Sequence, residues 1–223
     1  MLAAGTASVR AESPLWQSLA QVAPKADPAV IRLAVEAMNC AQKSGEQHAT
    51  RLAVIDYSRP STEARMWIFD LDSRKLLFKE LVAHGRNSGD NYAVSFSDKA
   101  QSYQSSLGLY RTLRSYDGNN GYSLRLEGLE AGINQNALDR AIVIHGADYV
   151  SEDFAKKVGR IGRSYGCPAV RQEVARPLID KLKGGNYLFV YYPDTAWLNS
   201  SRYLRCDAKT NMAQTDTAPQ QSR

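Results

Sequence analysis

The chain has 223 residues, 43% hydrophobic and 23% charged, a globular composition with room for one sizeable core and a small helical appendage. Its net charge of +5 comes from Lys and Arg that are scattered rather than run together, which argues against a nucleic-acid-binding stripe and suits an anionic polymer instead. No stretch approaches the ~20 apolar residues of a membrane span.

Residues 1–11 are rich in small side chains and contain Val9-Arg10-Ala11, a small-x-small pattern like that before a signal cleavage point. They lack a basic start and a full apolar run, so they read either as the remnant of an export leader or as a disordered end. Residues 12–46 read as a helical segment packed on the core. Asp27 is an N-cap, Pro28 fits the first helical position, Val30, Ile31, Ala34, Val35 and Met38 recur at helical spacing, and Gly45 ends the helix. From Arg51 onward the pattern is one of short strands, at 51–57, 66–71, 76–83, 108–112, 122–126, 141–145 and 187–192, separated by Gly, Pro, Asn and Asp. This predicts a mostly β (α+β) domain over 47–206 with a barrel- or sandwich-like core. Residues 174–182 read as a short C-terminal helix interrupted by Pro177 and stopped by Gly184-Gly185. Residues 207–223 read as a disordered tail.

The three cysteines are Cys40, Cys167 and Cys206. In an exported protein an odd count leaves one thiol over, and pairing Cys40 with Cys206 would tie the chain ends and leave Cys167 free. Three reduced thiols in a cytosolic protein is the other reading. Cys167 lies on the turn Gly162-Arg163-Ser164-Tyr165-Gly166-Cys167-Pro168, and the apolar run Ala141-Ile142-Val143-Ile144 delivers His145-Gly146. A thiol on a glycine-bearing turn and a strand-borne histidine are the parts of a thiolate nucleophile and its base. The N–H groups of Tyr165, Gly166 and Cys167 could converge into an oxyanion hole. Together these imply acyl transfer from an amide or ester; an inert buried thiol is the plainer reading. His48 sits in a polar segment and reads as exposed. His84 opens the polar loop Gly85-Arg86-Asn87-Ser88-Gly89 and is a candidate to line a site. With no Cys-x-x-Cys or His-x-x-x-His, neither a metal nor another cofactor is expected.

The runs His145-Gly146-Ala147 and Gly162 to Pro168 resemble the active-site signature of the murein L,D-transpeptidases, the YkuD-like cysteine peptidyltransferases. The branch is the one reading Gly-Arg-Ser-x-Gly-Cys-Pro. Supporting segments are Ile55-Asp56-Tyr57-Ser58, Val82-Ala83-His84-Gly85 and Ser105-Ser106-Leu107-Gly108, and the resemblance runs from about Leu52 to Leu204. It implies that Cys167 is the nucleophile, that His145 takes its proton, and that the Gly146 carbonyl orients His145. Ser164 and Gly166 match the family's turn, and a first and a last cysteine like Cys40 and Cys206 also occur in that branch. The larger branch carries histidine before Gly-Cys and arginine two residues after Cys. Here Tyr165 and Ala169 stand there, so substrate-carboxylate binding falls to Arg163 or Arg171, with His84 and Tyr122 as further candidates. The implied substrate is the tetrapeptide stem of peptidoglycan, cleaved between meso-diaminopimelate and D-alanine. The acyl group would pass to a second stem (a 3–3 cross-link) or, in an L,D-carboxypeptidase, to water. A weakly active peptidoglycan-binding module is the alternative from another class. The resemblance also implies a carbapenem target and a periplasmic location, against the alternative of a cytoplasmic trimming enzyme.

Overall fold

The computed structural model describes residues 13–206, so the readings of 1–11 as a leader remnant or disordered end and of 207–223 as a disordered tail lie outside the described residues. Two helices open the chain, α1 (Leu15–Val22) and α2 (Pro28–Lys43). In α2 the Asp27 carboxylate accepts the Ala29 N–H at 2.8 Å and Pro28 occupies the first turn. The apolar stripe Val30, Ile31, Ala34, Val35 and Met38 is buried in the same core as the strands.

Eight strands follow: β1 (Arg51–Asp56), β2 (Met66–Asp70), β3 (Lys75–Glu80), β4 (Gly108–Gly118), β5 (Gly121–Gly128), β6 (Val143–Ala147), β7 (Ala169–Arg171) and β8 (Tyr187–Tyr191). They form one mixed sheet in the order β3-β2-β1-β8-β4-β5-β6-β7. The β1–β8 and β6–β7 pairs are parallel, and the other pairs are antiparallel. Beyond β3 the chain crosses to the far edge, where the Ala83 N–H donates to the Ala169 carbonyl at 2.8 Å. The sheet therefore curls nearly closed, which explains why β1 and β8 are buried along almost their whole length.

Three further helices are α3 (Glu152–Val158), α4 (Gln172–Leu182) and α5 (Thr195–Ser200). α4 runs through Pro177 rather than being interrupted there. An interior proline costs about 3 kcal/mol, while burying one Leu or Ile gains roughly 1.5–3 kcal/mol, and α4 buries Leu178, Ile179 and Leu182. The segment expected to end at residue 112 continues to 118, because the hairpin with β5 pairs to its tip at Gly118–Gly121. β7, α3 and α5 are additions to the elements read from the sequence.

Cys40 and Cys206 are disulfide-bonded across a sequence separation of 166, fastening α2 to the end of the described chain. Reduction, or Cys40→Ser, is expected to lower the urea midpoint by the equivalent of up to about 5 kcal/mol, the loop-closure value for a ring of this size. Coincident oxidised and reduced unfolding curves would show that the bond does not constrain the unfolded chain.

Candidate active site

β6 lies between β5 and β7 and carries His145 opposite Ser123 on one side and Ala169 on the other. The ring is buried at 5% exposure. Its Nδ1 lies 2.8 Å from the Gly146 carbonyl. A carbonyl only accepts, so the proton sits on Nδ1 and the neutral ring keeps its lone pair on Nε2. Burial holds the imidazole below its ordinary pKa, partly opposed by the Gly146 bond. Gly146 is needed for close packing: a Cβ there would stand 2.6 Å from Gln172 Oε1 and 2.9 Å from Ala175 Cβ on α4.

The cysteine turn is wound around Ser164. Its N–H donates to the His84 carbonyl (3.0 Å) and its own carbonyl accepts the Arg86 N–H (2.7 Å). Its hydroxyl accepts the Gly166 N–H at 3.1 Å and donates to the Cys167 carbonyl at 2.6 Å. Ser105 Oγ donates to the Gly166 carbonyl at 3.0 Å. Gly166 has φ +127°, and a Cβ there would lie 2.9 Å from the Gln104 carbonyl, so both conformation and space demand glycine.

Cys167, the free thiol among the described residues, is half-buried. Its Sγ sits 3.5 Å from the Val143 N–H and 3.7 Å from the Ala141 carbonyl. Burial pushes the thiol above its ordinary pKa, against the Val143 N–H and the Arg140 guanidinium, which favour the thiolate. Both shifts act in one direction: the resting pair is a neutral thiol and a neutral imidazole.

Cys167, His145, Gly146, Ser164 and Tyr165 all line one open cavity of about 820 Å³. The tip of the β4–β5 hairpin, at Asn119–Gly121, forms part of its wall. Of the three N–H groups expected to form an oxyanion hole, one is already engaged. Ser164 takes the Gly166 N–H, whereas those of Tyr165 and Cys167 have no acceptor among the described residues.

The substrate-binding candidates divide. Arg163 lines the cavity, but its Nη1 is held by Asp90 Oδ1 (2.8 Å) and the Gly89 carbonyl (2.9 Å). His84 is not in the wall. It is buried behind the turn, its Nδ1 2.7 Å from Arg65 Nη2, and burial and that cation pull its pKa down to about 3. Arg171 faces a separate cavity of about 600 Å³, paired with Glu80 at 2.8 and 3.0 Å and with Glu173 at 2.7 Å. Tyr122 is bound to Asp180 at 2.6 Å under the Arg176 guanidinium and also lies outside this wall.

Two residues escaped the sequence reading. Arg140, nearly fully buried, donates to the Gln104 carbonyl (2.6 Å), Ser106 Oγ (2.7 Å) and the Ser97 carbonyl (2.8 Å), bracing the loop that backs the thiol. Arg86 is an exposed cation in the cavity wall. Arg86 falls in the polar loop that His84 opens, but no periodicity marked either arginine. Among the described residues no cluster of three or more His, Cys, Asp or Glu is placed to hold a metal.

A neutral resting pair predicts that alkylation of Cys167 by iodoacetamide rises with pH through an apparent pKa above the ordinary thiol value of about 8.5. A rate plateau already reached below about pH 7 would identify a thiolate–imidazolium pair instead.

A sequence model of the L,D-transpeptidase catalytic domain matches residues 22–191. No curated protein matches the chain. An L,D-transpeptidase from Mycobacterium smegmatis is similar at 14% identity and TM-score 0.40, covering 65% of this chain and 59% of its own. A fused Zn-dependent amidase, peptidase and peptidoglycan-binding-domain protein from Clostridium acetobutylicum shows 17% identity, TM-score 0.39 and coverages of 74% and 62%. An L,D-transpeptidase from Xylanimonas cellulosilytica shows 12% identity, TM-score 0.36 and coverages of 69% and 68%. The chain thus spans about three fifths of the length of the first of these structures. On the match over 22–191, the chain belongs to the L,D-transpeptidase catalytic-domain family.

Proposed function

We propose that the chain is a peptidoglycan L,D-transpeptidase with Cys167 as its nucleophile. The observation that carries this is the placing of the Cys167 thiol and the His145 imidazole in the wall of one cavity, in a chain of this family. Nε2 of His145 takes the thiol proton as Sγ attacks the meso-diaminopimelate carbonyl at its bond to D-alanine. The new oxyanion is met by the N–H groups of Tyr165 and Cys167. The tetrahedral adduct collapses, the C–N bond breaks, and His145 returns the proton to the departing D-alanine amine. The acyl group is left as a thioester on Cys167. A second stem amine, deprotonated by His145, then attacks it, releasing the thiol and forming a 3–3 cross-link.

The cationic lining from Arg86, Arg160 and Arg163 suits anionic stem peptides. The Cys40–Cys206 bond supports export to the periplasm, since disulfides persist in oxidising compartments. Among the described residues no helix is long and apolar enough to cross a membrane.

The test is mass spectrometry of disaccharide-tetrapeptides incubated with the wild type, Cys167→Ala and His145→Ala. The wild type is expected to give a 3–3 dimer, Cys167→Ala none, and His145→Ala a kcat lower by roughly 10²–10⁴. A product that has only lost D-alanine would assign the chain as an L,D-carboxypeptidase. No turnover by folded wild type would leave a peptidoglycan-binding module.

A nucleophilic thiol in an open cavity also predicts acylation by carbapenems, read as a wild-type-only adduct in intact mass. Unmodified wild type after prolonged exposure would count against it.

A further inference from the structure

The cavity holds more cations than its own carboxylates use. Arg163 donates through Nη1 to Asp90 and to the Arg86 and Gly89 carbonyls. Arg160 donates to the Ile161 carbonyl at 3.0 Å and stands 3.8 Å from Asp90 Oδ1. The guanidinium of Arg86 has no hydrogen bond and no ion pair among the described residues. It packs instead against two adjoining rings: its Cζ lies 4.3 Å from the Tyr103 centroid and 4.7 Å from the Tyr165 centroid. The rings are 5.0 Å apart and inclined at 52°.

That arrangement has a chemical consequence. Packing against the rings covers one side of the guanidinium and leaves its N–H donors free. A fork held in this way has already given up some of its rotamer freedom, so a ligand need not supply all of that ordering cost. The pair of rings is also built against local preferences. Tyr103 stands at φ +55°, a left-handed backbone that non-glycine residues seldom adopt. Tyr165 is 66% exposed, so core packing does not account for its place. Tyr165 stands two residues before Cys167, and it shares the cavity wall with Arg86. The complement of a planar cationic fork is a carboxylate, bound edge-on through two parallel hydrogen bonds. Asp148, in the same wall, disfavours a carboxylate on its own side of the cavity.

We propose that Arg86, packed against the rings of Tyr103 and Tyr165, receives a carboxylate of the substrate and replaces the arginine whose place after the cysteine is taken here by Ala169. This rests on the reading of the cavity as an acyl-transfer site for peptidoglycan stems. Two carboxylates flank the scissile amide in such a stem, that of the terminal D-alanine and that on the distal centre of diaminopimelate. Arg86 recognises the chemistry the two share.

The experiment is steady-state kinetics of the full chain on three disaccharide-tetrapeptides: both groups as free acids, the D-alanine terminus amidated, and the distal diaminopimelate carboxyl amidated. Wild type, Arg86→Met and Arg86→Lys are compared, with thermal midpoints to establish folding. One of the two amides is expected to raise the wild-type KM by roughly 10–100-fold, and which one names the carboxylate. Arg86→Met is expected to raise KM for the free acid similarly, leave kcat nearly unchanged and erase the difference between acid and amide. Arg86→Lys, with charge but no fork, falls between. Folded Arg86→Met that still separates acid from amide by the wild-type ratio overturns the proposal, as does a wild type indifferent to both amides. Folded wild type that turns over none of the three substrates removes the acyl-transfer reading, and this proposal with it.

Discussion

Three backbone hydrogen bonds decide where Cys167 sits: Ala83 N–H to the Ala169 carbonyl, Ser164 N–H to the His84 carbonyl, and Arg86 N–H to the Ser164 carbonyl. They tie the chain leaving β3 to both sides of the cysteine turn, three residues before Cys167 and two after. Each contributes about 1 kcal/mol net, but breaking one strands a buried polar group at a further cost of about 1–3 kcal/mol. The curled sheet is thus fastened across Cys167, and the turn inherits the rigidity of the seam. His84 serves that seam rather than the chemistry. Burial and Arg65 keep its ring uncharged, and Arg65 itself, fully buried, is satisfied by the Val82 and Arg59 carbonyls and the face of Tyr57.

The same burial sets the electrostatics of the site. Removing water from around Cys167 and His145 disfavours both charged forms. The nearby cation, Arg140, is committed to carbonyls, hydroxyls and Asp98, and so tempers the thiol without competing for substrate. Uncommitted positive charge lies in the cavity wall, on the guanidinium of Arg86 packed against Tyr103 and Tyr165. The cavity therefore pairs a desolvated reacting centre with a charged rim, a division suited to anionic stems that must be held before they react.

Much of the fold was legible in the chain. α2 could be read because a local cap, a proline and an apolar stripe all agree. β1, β2 and β8 could be read because strands covered on both faces are nearly continuous apolar runs. β7 could not, since three residues carry no periodicity and their pairing is set by β6. α3 could have been found from local signals alone. Ser151 caps it, Glu152 and Asp153 open it, Lys156 and Lys157 close it, and Gly159 terminates it in the left-handed region. The far half of β4 was missed because its polar residues are held by pairing with β5, a contact no local window contains.

The sequence by itself determined the candidates: a thiol on a glycine turn, a histidine at the end of an apolar strand, and two further cysteines, Cys40 and Cys206, that could pair. These are matters of residue type and short-range spacing, which the chain carries locally. Only the tertiary structure decided which arginines face the cavity, which N–H groups remain open for an oxyanion, and that His84 is a brace. Arg163, Arg171 and Arg86 are alike as letters. Asp90, Glu80 and the ring of Tyr103 separate them, and those partners stand 73, 91 and 17 residues away along the chain. A side chain's availability depends on what has already bound it, and long-range packing sets those partners.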